Sequence, residues 1–168
     1  MFQRIDNAEM RIISLGAGVQ SSVMALMAAK GELEMPDAAI FADTQWEPQG
    51  VYDHLEWLEK QVPFPVHRVT KGDIREMSLE TVEDAVYRPS IPLFVASPQK
   101  SMAPRQCTAQ FKIIPIRQKV RELMGLQRYE HIPKKSVIEN WIGITRDEIH
   151  RVKPSRIKWL PSRWPLIE

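Results

Sequence analysis

Short apolar runs alternate with amphipathic stretches over the first part of the chain. Runs at 11–15, 38–42 and 66–69 are rich in aliphatic residues and have the length of strands. The two segments between them, 21–30 and 49–61, place apolar residues at helical spacing. The order strand, helix, strand, helix, strand predicts an α/β domain, because parallel neighbours must be joined by a crossover that is usually helical.

The second half of the chain has a weaker pattern. Residues 87–104 carry four prolines and are interpreted as an ordered loop or lid. A helix is predicted from Pro115 to residue 124, since proline suits a first turn and Gly125 can end the helix. A fourth strand is predicted over 137–144. The predicted fold is a Rossmann-like, doubly wound and mostly parallel sheet with helices on both faces.

This predicted domain covers residues 1–152, and a Pro-, Arg- and Trp-rich segment follows over 153–168. The abrupt ending leaves three interpretations open: a truncated chain, a shortened relative, or half of a split protein. The composition is that of an ordinary globular domain, with 168 residues, 43% of them hydrophobic. No internal repeat is found.

Turn-forming residues follow two predicted strands. Gly16-Ala17-Gly18 ends the first strand and Asp43-Thr44 ends the second. Carboxyl ends of parallel strands border one crevice, so both segments are expected to face it. Gly16 and Gly18 permit positive φ and close approach, and amide groups at a helix N-terminus bind phosphate. On spacing alone, an ordinary glycine turn before a capped helix is an equal alternative.

Charge and cysteine content narrow the function classes. The net charge of +2 gives no argument for a dedicated nucleic-acid binder, although basic residues are concentrated over 100–163, as an anionic ligand would require. The single cysteine excludes an intrachain disulfide and a zinc site built from several thiolates. No run approaches the roughly 20 apolar residues of a membrane span. Together with the absence of a secretory pattern at the N-terminus, this predicts a cytoplasmic protein without a membrane partner.

Residues 16–22 resemble the phosphate loop (PP-loop) of the adenine nucleotide alpha-hydrolase superfamily, in which Ser-Gly-Gly-x-Asp-Ser-Ser/Thr follows the first strand. Here Gly16 replaces the first serine, Ala17 the first glycine, and Gln20 the aspartate. In members that cleave ATP between its α and β phosphates, that aspartate lies near the pyrophosphate and the metal. Its replacement argues against ATP pyrophosphatase chemistry.

Three further segments resemble one branch, the phosphoadenosine phosphosulfate (PAPS) reductase-like proteins. Residues 41–47 are similar to Asp-Thr-Gly-x-x-Phe/Pro-Glu, 105–115 to Arg-x-Cys-Cys-x-x-x-Lys-x-x-Pro, and 142–151 to Gly-Ile-Arg-x-Asp-Glu-x-x-Arg. Four segments in the same order are far more specific than the loop alone. The resemblance implies a PP-loop fold of the HUP type and an adenine nucleotide, either a sulfonucleotide or ATP.

The resemblance also implies two sets of site residues. The nucleotide- and phosphate-binding set is Ser14, Gly16, Ala17, Gly18, Gln20, Ser21, Ser22, Asp43, Thr44, Arg105 and Gly143. The catalytic set is Cys107, Lys112 and Arg151. No metal ligand is assigned.

Each polar candidate has an alternative interpretation. Asp43 is expected to accept a hydrogen bond from a ribose hydroxyl or the adenine amine, or else to cap the next helix. Arg105 and Lys112 lie around a helix start, where they could share a phosphate or sulfate, or form a solvated basic face. Glu148 and Arg151 are three residues apart and could pair with each other instead of facing a ligand.

Three functions remain open. The first is a PAPS reductase-like protein acting in sulfur transfer or nucleotide modification. The second is an ATP-dependent adenylating enzyme or sulfurtransferase that acts on nucleic acid. The third is a catalytically incomplete nucleotide-binding subunit, which the lone Cys107 favours because neither known thiol arrangement of the reductases is complete. Cys107 can also be a small buried hydrophobe.

The expected cofactors and partners follow from these functions. An adenine nucleotide is the expected small molecule, and Mg²⁺ is expected only if ATP is the substrate and Asp43 or Glu47 supplies a ligand. An iron–sulfur cluster is not expected, since a four-cysteine cluster cannot form within this chain. A protein partner or a further C-terminal segment, and nucleic acid as an acceptor, remain possible partners.

Overall fold

The computed structural model describes residues 5–79 and 108–167. The predicted loop or lid over 87–104 lies outside these ranges, and so do the candidate site residues Arg105 and Cys107.

A five-stranded parallel sheet forms the centre of the molecule, in the order β3-β2-β1-β4-β5. Its strands are β1 Met10–Leu15, β2 Ala38–Asp43, β3 Val66–Thr70, β4 Ile138–Ile142 and β5 Ser162–Arg163. The first four match the predicted strands to within two residues at each end. The inner strand β2 is a nearly continuous apolar run, buried from Ala38 to Ala42, because both of its faces are covered.

Within the described ranges, four α-helices lie around the sheet: α1 Val19–Ala29, α2 Gln49–Glu59, α3 Ile74–Leu79 and α4 Ile114–Leu123. A π-helical segment, Thr108–Ile113, leads into α4, and a 3₁₀-helix, Arg146–Arg151, follows β4. The apolar spacing predicted α1, α2 and α4, but it indicated neither α3 nor the π-helical segment. Within the described ranges, no helix has both the length and the apolar character that crossing a bilayer requires.

The helices cover both faces of the sheet, which confirms the doubly wound α/β prediction. On one face, Ile13, Phe41 and Trp141 form a core with buried residues of α1 and α2. On the other face, Ile12 and Ile138 pack with residues of α4 and with the chain that leads to β5. Both layers bury apolar surface. Each Å² removed from water stabilises the folded state by about 25 cal/mol, and this burial is the main stabilising contribution.

A buried carboxylate joins the C-terminal strand to the rest of the sheet. Glu139 of β4 is fully buried, with Oε2 3.1 Å from Nε of Arg11 and Oε1 3.6 Å from Nε of Arg163. Arg163 also donates from Nη1 to Glu34 at 2.7 Å and lies over the ring of Trp141 at 5.3 Å. These charges compensate one another inside the fold, so a strand that carries an arginine can occupy a buried position.

The Pro-, Arg- and Trp-rich segment therefore supplies a strand that the sequence pattern did not predict. Beyond β5, Trp164 and Ile167 are buried and pack with Ile144, which follows β4.

Candidate functional site

The strand order places a topological switch point between β1 and β4 at their carboxyl ends. From β1 the chain enters α1 on one face, whereas the chain after β4 packs on the opposite face before it reaches β5. The two strands are in register, with Ser14 opposite Ile142. Ligands of open α/β sheets bind at such a switch point. The loop that begins at Gly16 and the one that begins at Gly143 both border it.

The loop at 16–18 turns through its central residue. Ala17 has a φ of +51°, whereas Gly18 is extended, with φ −87° and ψ 171°. Gly16 and Gly18 permit positive φ, but the positive φ of this loop falls on Ala17, the residue between them. A non-glycine residue in the left-handed region costs roughly 1–2 kcal/mol. The turn nevertheless directs the chain into α1 at Val19.

Space remains open beside the two glycines. A Cβ atom built on Gly18 would meet no atom within 4 Å, and one built on Gly16 would meet only the hydroxyl of Ser21, at 4.0 Å. The loop backbone is thus accessible directly in front of α1, where the first-turn amides have no helical partners. An anion could approach the backbone closely here.

The two serines of the first turn of α1 are buried and already bonded. The Ser21 hydroxyl donates to the carbonyl of Gly18 at 3.1 Å and accepts from the amide of Gly16 at 3.3 Å, which closes the loop on itself. Ser22 Oγ lies 2.8 Å from Nε2 of His54, whose ring stacks on Trp57 of the same helix. His54 belongs to α2 and was not predicted from the sequence.

Gly143 lies directly behind this first turn. A Cβ atom on Gly143 would stand 2.8 Å from the amide nitrogen of Ser21 and 3.0 Å from the carbonyl carbon of Gln20. No side chain fits at that separation, so the end of β4 packs backbone to backbone against α1. Gly143 thereby sets the position of the loop relative to β4.

Gln20 joins the first turn of α1 to the 3₁₀-helix. Its Nε2 donates to Thr145 Oγ1 at 3.0 Å and to Glu148 Oε2 at 2.6 Å. Glu148 Oε1 accepts from Arg151 at 2.6 Å. The bonds from Gln20 and Arg151 lower the pKa of Glu148. Of the two interpretations of Arg151, the structure contains the pair with Glu148.

Ser14 lies one residue before the end of β1. Its hydroxyl donates to Oδ1 of Asn140 at 2.7 Å, which is a bond between neighbouring strands. The structure therefore does not bring the Ser14 side chain together with the hydroxyls of Ser21 and Ser22.

A second polar cluster lies at the end of β2. Asp43 Oδ1 accepts from the amide of Gln45 at 2.7 Å and from the hydroxyl of Tyr52 at 2.9 Å. Gln45, whose N–H bonds the carboxylate, has a φ of +59°. The residue that caps α2 is Pro48, with no side-chain capping bond, so Asp43 does not cap that helix.

The neighbouring acid is compensated by a lysine. Glu47 Oε1 accepts from Thr44 Oγ1 at 3.2 Å and lies 3.6 Å from Nζ of Lys112, which comes from the π-helical segment. Lys71 lies over the ring of Phe111 in that segment, at 5.8 Å. Lys112 is thus brought to the carboxyl edge of the sheet, as the resemblance implied, but it faces a carboxylate there.

These contacts bear on whether Mg²⁺ would fit. Glu47 shares one oxygen with Thr44 and Lys112, and Asp43 already accepts two hydrogen bonds on one oxygen. Gln20, at the position of the family's aspartate, offers its amide nitrogen to Thr145 and Glu148. Among the described residues, no three His, Cys, Asp or Glu side chains are close enough to hold a metal ion. The carboxylates of Asp43 and Glu47 are thus engaged by donors of the protein itself.

No family model matches the chain, and no curated protein is significantly similar to it.

Two residues at this edge, Tyr52 and His54, were missed by sequence reasoning. Both lie on α2, outside the segments that resemble the PAPS reductase-like proteins, and they contact the predicted site residues Asp43 and Ser22. Their spacing from the buried Leu55 and Leu58 predicts only that they belong to an amphipathic helix, and nothing else in the sequence indicates a role in the site.

Proposed function

We propose that this chain is a cytoplasmic PP-loop protein of the PAPS reductase-like group, which binds an adenine nucleotide at the carboxyl edge of its sheet. The loop before α1 holds the phosphates, and the end of β2 holds the nucleoside. The bound nucleotide, a sulfonucleotide or ATP, takes part in sulfur transfer or in its own modification. A protein partner or a further segment is proposed to supply the thiol chemistry that a single cysteine lacks.

The observation that carries this proposal is the backbone conformation of two residues. Within the described ranges, Ala17 and Gln45 are the two non-glycine residues with positive φ. Both stand where the resembled segments have glycine, the first in the phosphate loop and the second after Asp43-Thr44. The backbone shapes that glycine favours are therefore present in both segments, although the side chains have changed. Two such coincidences support the resemblance independently of residue identity.

The physical features of the crevice are those that bind a phosphate. The loop leads directly into α1, an eleven-residue helix whose N-terminus carries a partial positive charge. Two acids that follow the strand ends are paired with cations, Glu148 with Arg151 and Glu47 with Lys112. Their pairing lowers the electrostatic repulsion that an incoming anion would meet at this edge.

ATP-dependent adenylation of a nucleic-acid base or carbonyl is supported less well. That reaction relies on a magnesium ion near the α and β phosphates, and the resembled loop supplies an aspartate there. In this chain Gln20 occupies the position of that aspartate, and its side-chain amide donates a hydrogen bond to Glu148. Binding of a nucleotide without pyrophosphate release is accordingly the outcome we expect with ATP alone.

Isothermal titration calorimetry with ATP, AMP, adenosine phosphosulfate and PAPS tests the proposal. The critical variant is Gly18→Ala, because the added methyl group meets no protein atom but fills the space in front of α1. We expect unchanged thermal stability and an affinity lowered by at least about tenfold, which corresponds to roughly 1.4 kcal/mol. A pyrophosphate-release assay with ATP then separates binding from adenylation.

Gly50→Ala is the matched control, since Gly50 also has open space around it but lies in α2. This variant should bind the nucleotide as the wild type does. If the wild type binds none of the four nucleotides, or if Gly18→Ala binds as tightly as the wild type, the phosphate site is not at this loop.

A further inference from the structure

Tyr52 and Asp43 form a hydrogen-bonded pair between α2 and the end of β2. The Tyr52 hydroxyl donates a hydrogen bond to Asp43 Oδ1 at 2.9 Å. The same hydroxyl oxygen accepts a hydrogen bond from the amide of Glu47 at 3.4 Å. Burial and the bond to Asp43 raise the pKa of Tyr52, so the phenol stays protonated and remains a donor at neutral pH. The pair therefore has one defined direction of donation.

Both structural donors bind the same carboxylate oxygen. Gln45 N–H and Tyr52 O–H are directed at Oδ1, at 2.7 and 2.9 Å. Among the residues that the structure describes, none donates a hydrogen bond to Oδ2. These two hydrogen bonds to Oδ1 restrict the rotation of the carboxylate group and so fix the position of Oδ2. Oδ2 is thus held in one orientation, and no residue of the described ranges uses its acceptor capacity.

The strand register places Asp43 at the same edge of the sheet as the phosphate loop, on the neighbouring strand. Leu15 lies opposite Phe41, so the chain beyond β1 reaches Ala17 at the level where β2 reaches Asp43. Within a nucleotide, the ribose is the group next to the phosphates and carries two vicinal hydroxyl donors. An acid at the end of the second strand of a dinucleotide-binding sheet accepts from a ribose hydroxyl for the same geometric reason.

We propose that Tyr52 is a positioning residue that orients Asp43, so that Oδ2 accepts a ribose hydroxyl and the site selects ribonucleotides over deoxyribonucleotides. This inference rests on the proposed function. It assigns Asp43 to the ribose, whereas the sequence alone left the ribose hydroxyl and the adenine amine open as donors to this residue. The adenine amine is the less suitable donor because the base lies beyond the ribose as seen from the phosphate loop. A hydroxyl bound to a carboxylate gives a charge-assisted bond, which is stronger than a neutral one.

Calorimetric titration with ATP, 2′-deoxy-ATP and 3′-deoxy-ATP tests this assignment. The wild type should bind ATP about 10- to 100-fold more tightly than at least one of the deoxy analogues, as expected for a bond to a charged group. Asp43→Asn keeps an oxygen for Gln45 and Tyr52 but removes the charge, and should bring this ratio close to one. Tyr52→Phe should lower the ratio by about fivefold, since Asp43 keeps its charge and its bond from Gln45 but loses one of the two bonds that orient it.

The ratio separates positioning from a structural role. A general disturbance of α2 would weaken all three nucleotides equally and leave their ratio unchanged. Tyr129→Phe is the matched control, because Tyr129 is exposed and lies after α4, at the other edge of the sheet. It should retain the wild-type ratio. Asp37→Asn, just before the amino end of β2, is the corresponding control for the carboxylate.

The outcomes distinguish this inference from the proposed function. If ATP binds but the wild type binds all three nucleotides equally, or if Tyr52→Phe keeps the full ratio, the assignment of Tyr52 and Asp43 is wrong while the phosphate site stands. If Tyr52→Phe does not fold, Asp43→Asn decides by the same ratio. If no nucleotide binds the wild type, the proposed function fails first.

Discussion

Gly143 and Ser21 are in direct backbone contact: a Cβ atom on Gly143 would stand 2.8 Å from the Ser21 amide nitrogen. This contact joins the end of β4 to the first turn of α1 and so forms the inner wall of the candidate phosphate site. Neighbouring main-chain atoms cannot move aside as the end of a flexible side chain can.

Gly143→Ala should therefore lower the free energy of unfolding by about 1–3 kcal/mol, the usual cost of overpacking, and displace the loop in front of α1. Chemical denaturation measures the first effect. Gly50→Ala is the control, because a methyl group at that helical position meets no neighbour and should stabilise by up to about 1 kcal/mol. Equal stabilities of wild type and Gly143→Ala would contradict the contact.

Gln45→Gly should stabilise the protein by roughly 0.5–1 kcal/mol. Gln45 is exposed and has a φ of +59°, a conformation that glycine adopts without strain. The strain energy that glycine relieves at this φ is larger than the two costs of the substitution. These are the added conformational entropy of the unfolded chain and the loss of the exposed 3.2 Å hydrogen bond from Gln45 to Thr70. Thermal and urea denaturation measure the change.

Gln118→Gly is the matched control for this substitution, since Gln118 is exposed within α4. There, glycine should destabilise by about 1 kcal/mol. A destabilisation of similar size at both positions would show that the left-handed conformation of Gln45 is not strained.

Gln20→Leu should raise the pKa of Glu148 toward its ordinary value of 4.5, because the bond from Gln20 is the largest cause of its lowering. A lowered pKa in the folded state stabilises above pH 4.5, and this contribution is lost as the pH falls through the folded-state pKa. The variant should therefore lose less stability than the wild type on acidification through that window. Carboxyl chemical shifts in an NMR titration follow Glu148 directly. Gln118→Leu should leave the titration of Glu148 as it is.

Glu139→Gln should lower the free energy of unfolding by about 3 kcal/mol, since it removes one partner of a buried ionic cluster and leaves Arg11 and Arg163 without its charge. Glu122→Gln, whose side chain is 69% exposed and pairs with Lys119, should change stability by less than about 0.5 kcal/mol. Similar effects of the two substitutions would mean that Glu139 does not hold the C-terminal strand by its charge.

The apolar runs located β1 to β4, and helical spacing located α1, α2 and α4, because these signals are local and arise from burial on one or both sides. The glycines of 16–18 indicated a turn at the carboxyl edge. Which residue would take positive φ was not predictable from that pattern, since the packing of the first turn of α1 against Gly143 determines how the loop bends.

Contacts between residues far apart in the chain, both in the fold and at the candidate site, were less accessible to sequence reasoning. β5 is two residues long and includes Arg163, whose burial depends on Glu34 and Glu139, far apart in the chain. The roles of Tyr52 and His54 likewise depend on how α2 packs beside β2 and α1.

By itself, the sequence determined the class of fold, the order of its main elements and the edge at which polar residues would gather, because hydrophobic periodicity and turn residues act over short distances along the chain. Only the tertiary structure decided that Gln20 bonds Glu148, that Lys112 faces Glu47, and that Tyr52 donates to Asp43. Hydrogen bonds and ion pairs depend on ångström-scale separations between residues from different elements, and the packing of those elements sets these separations.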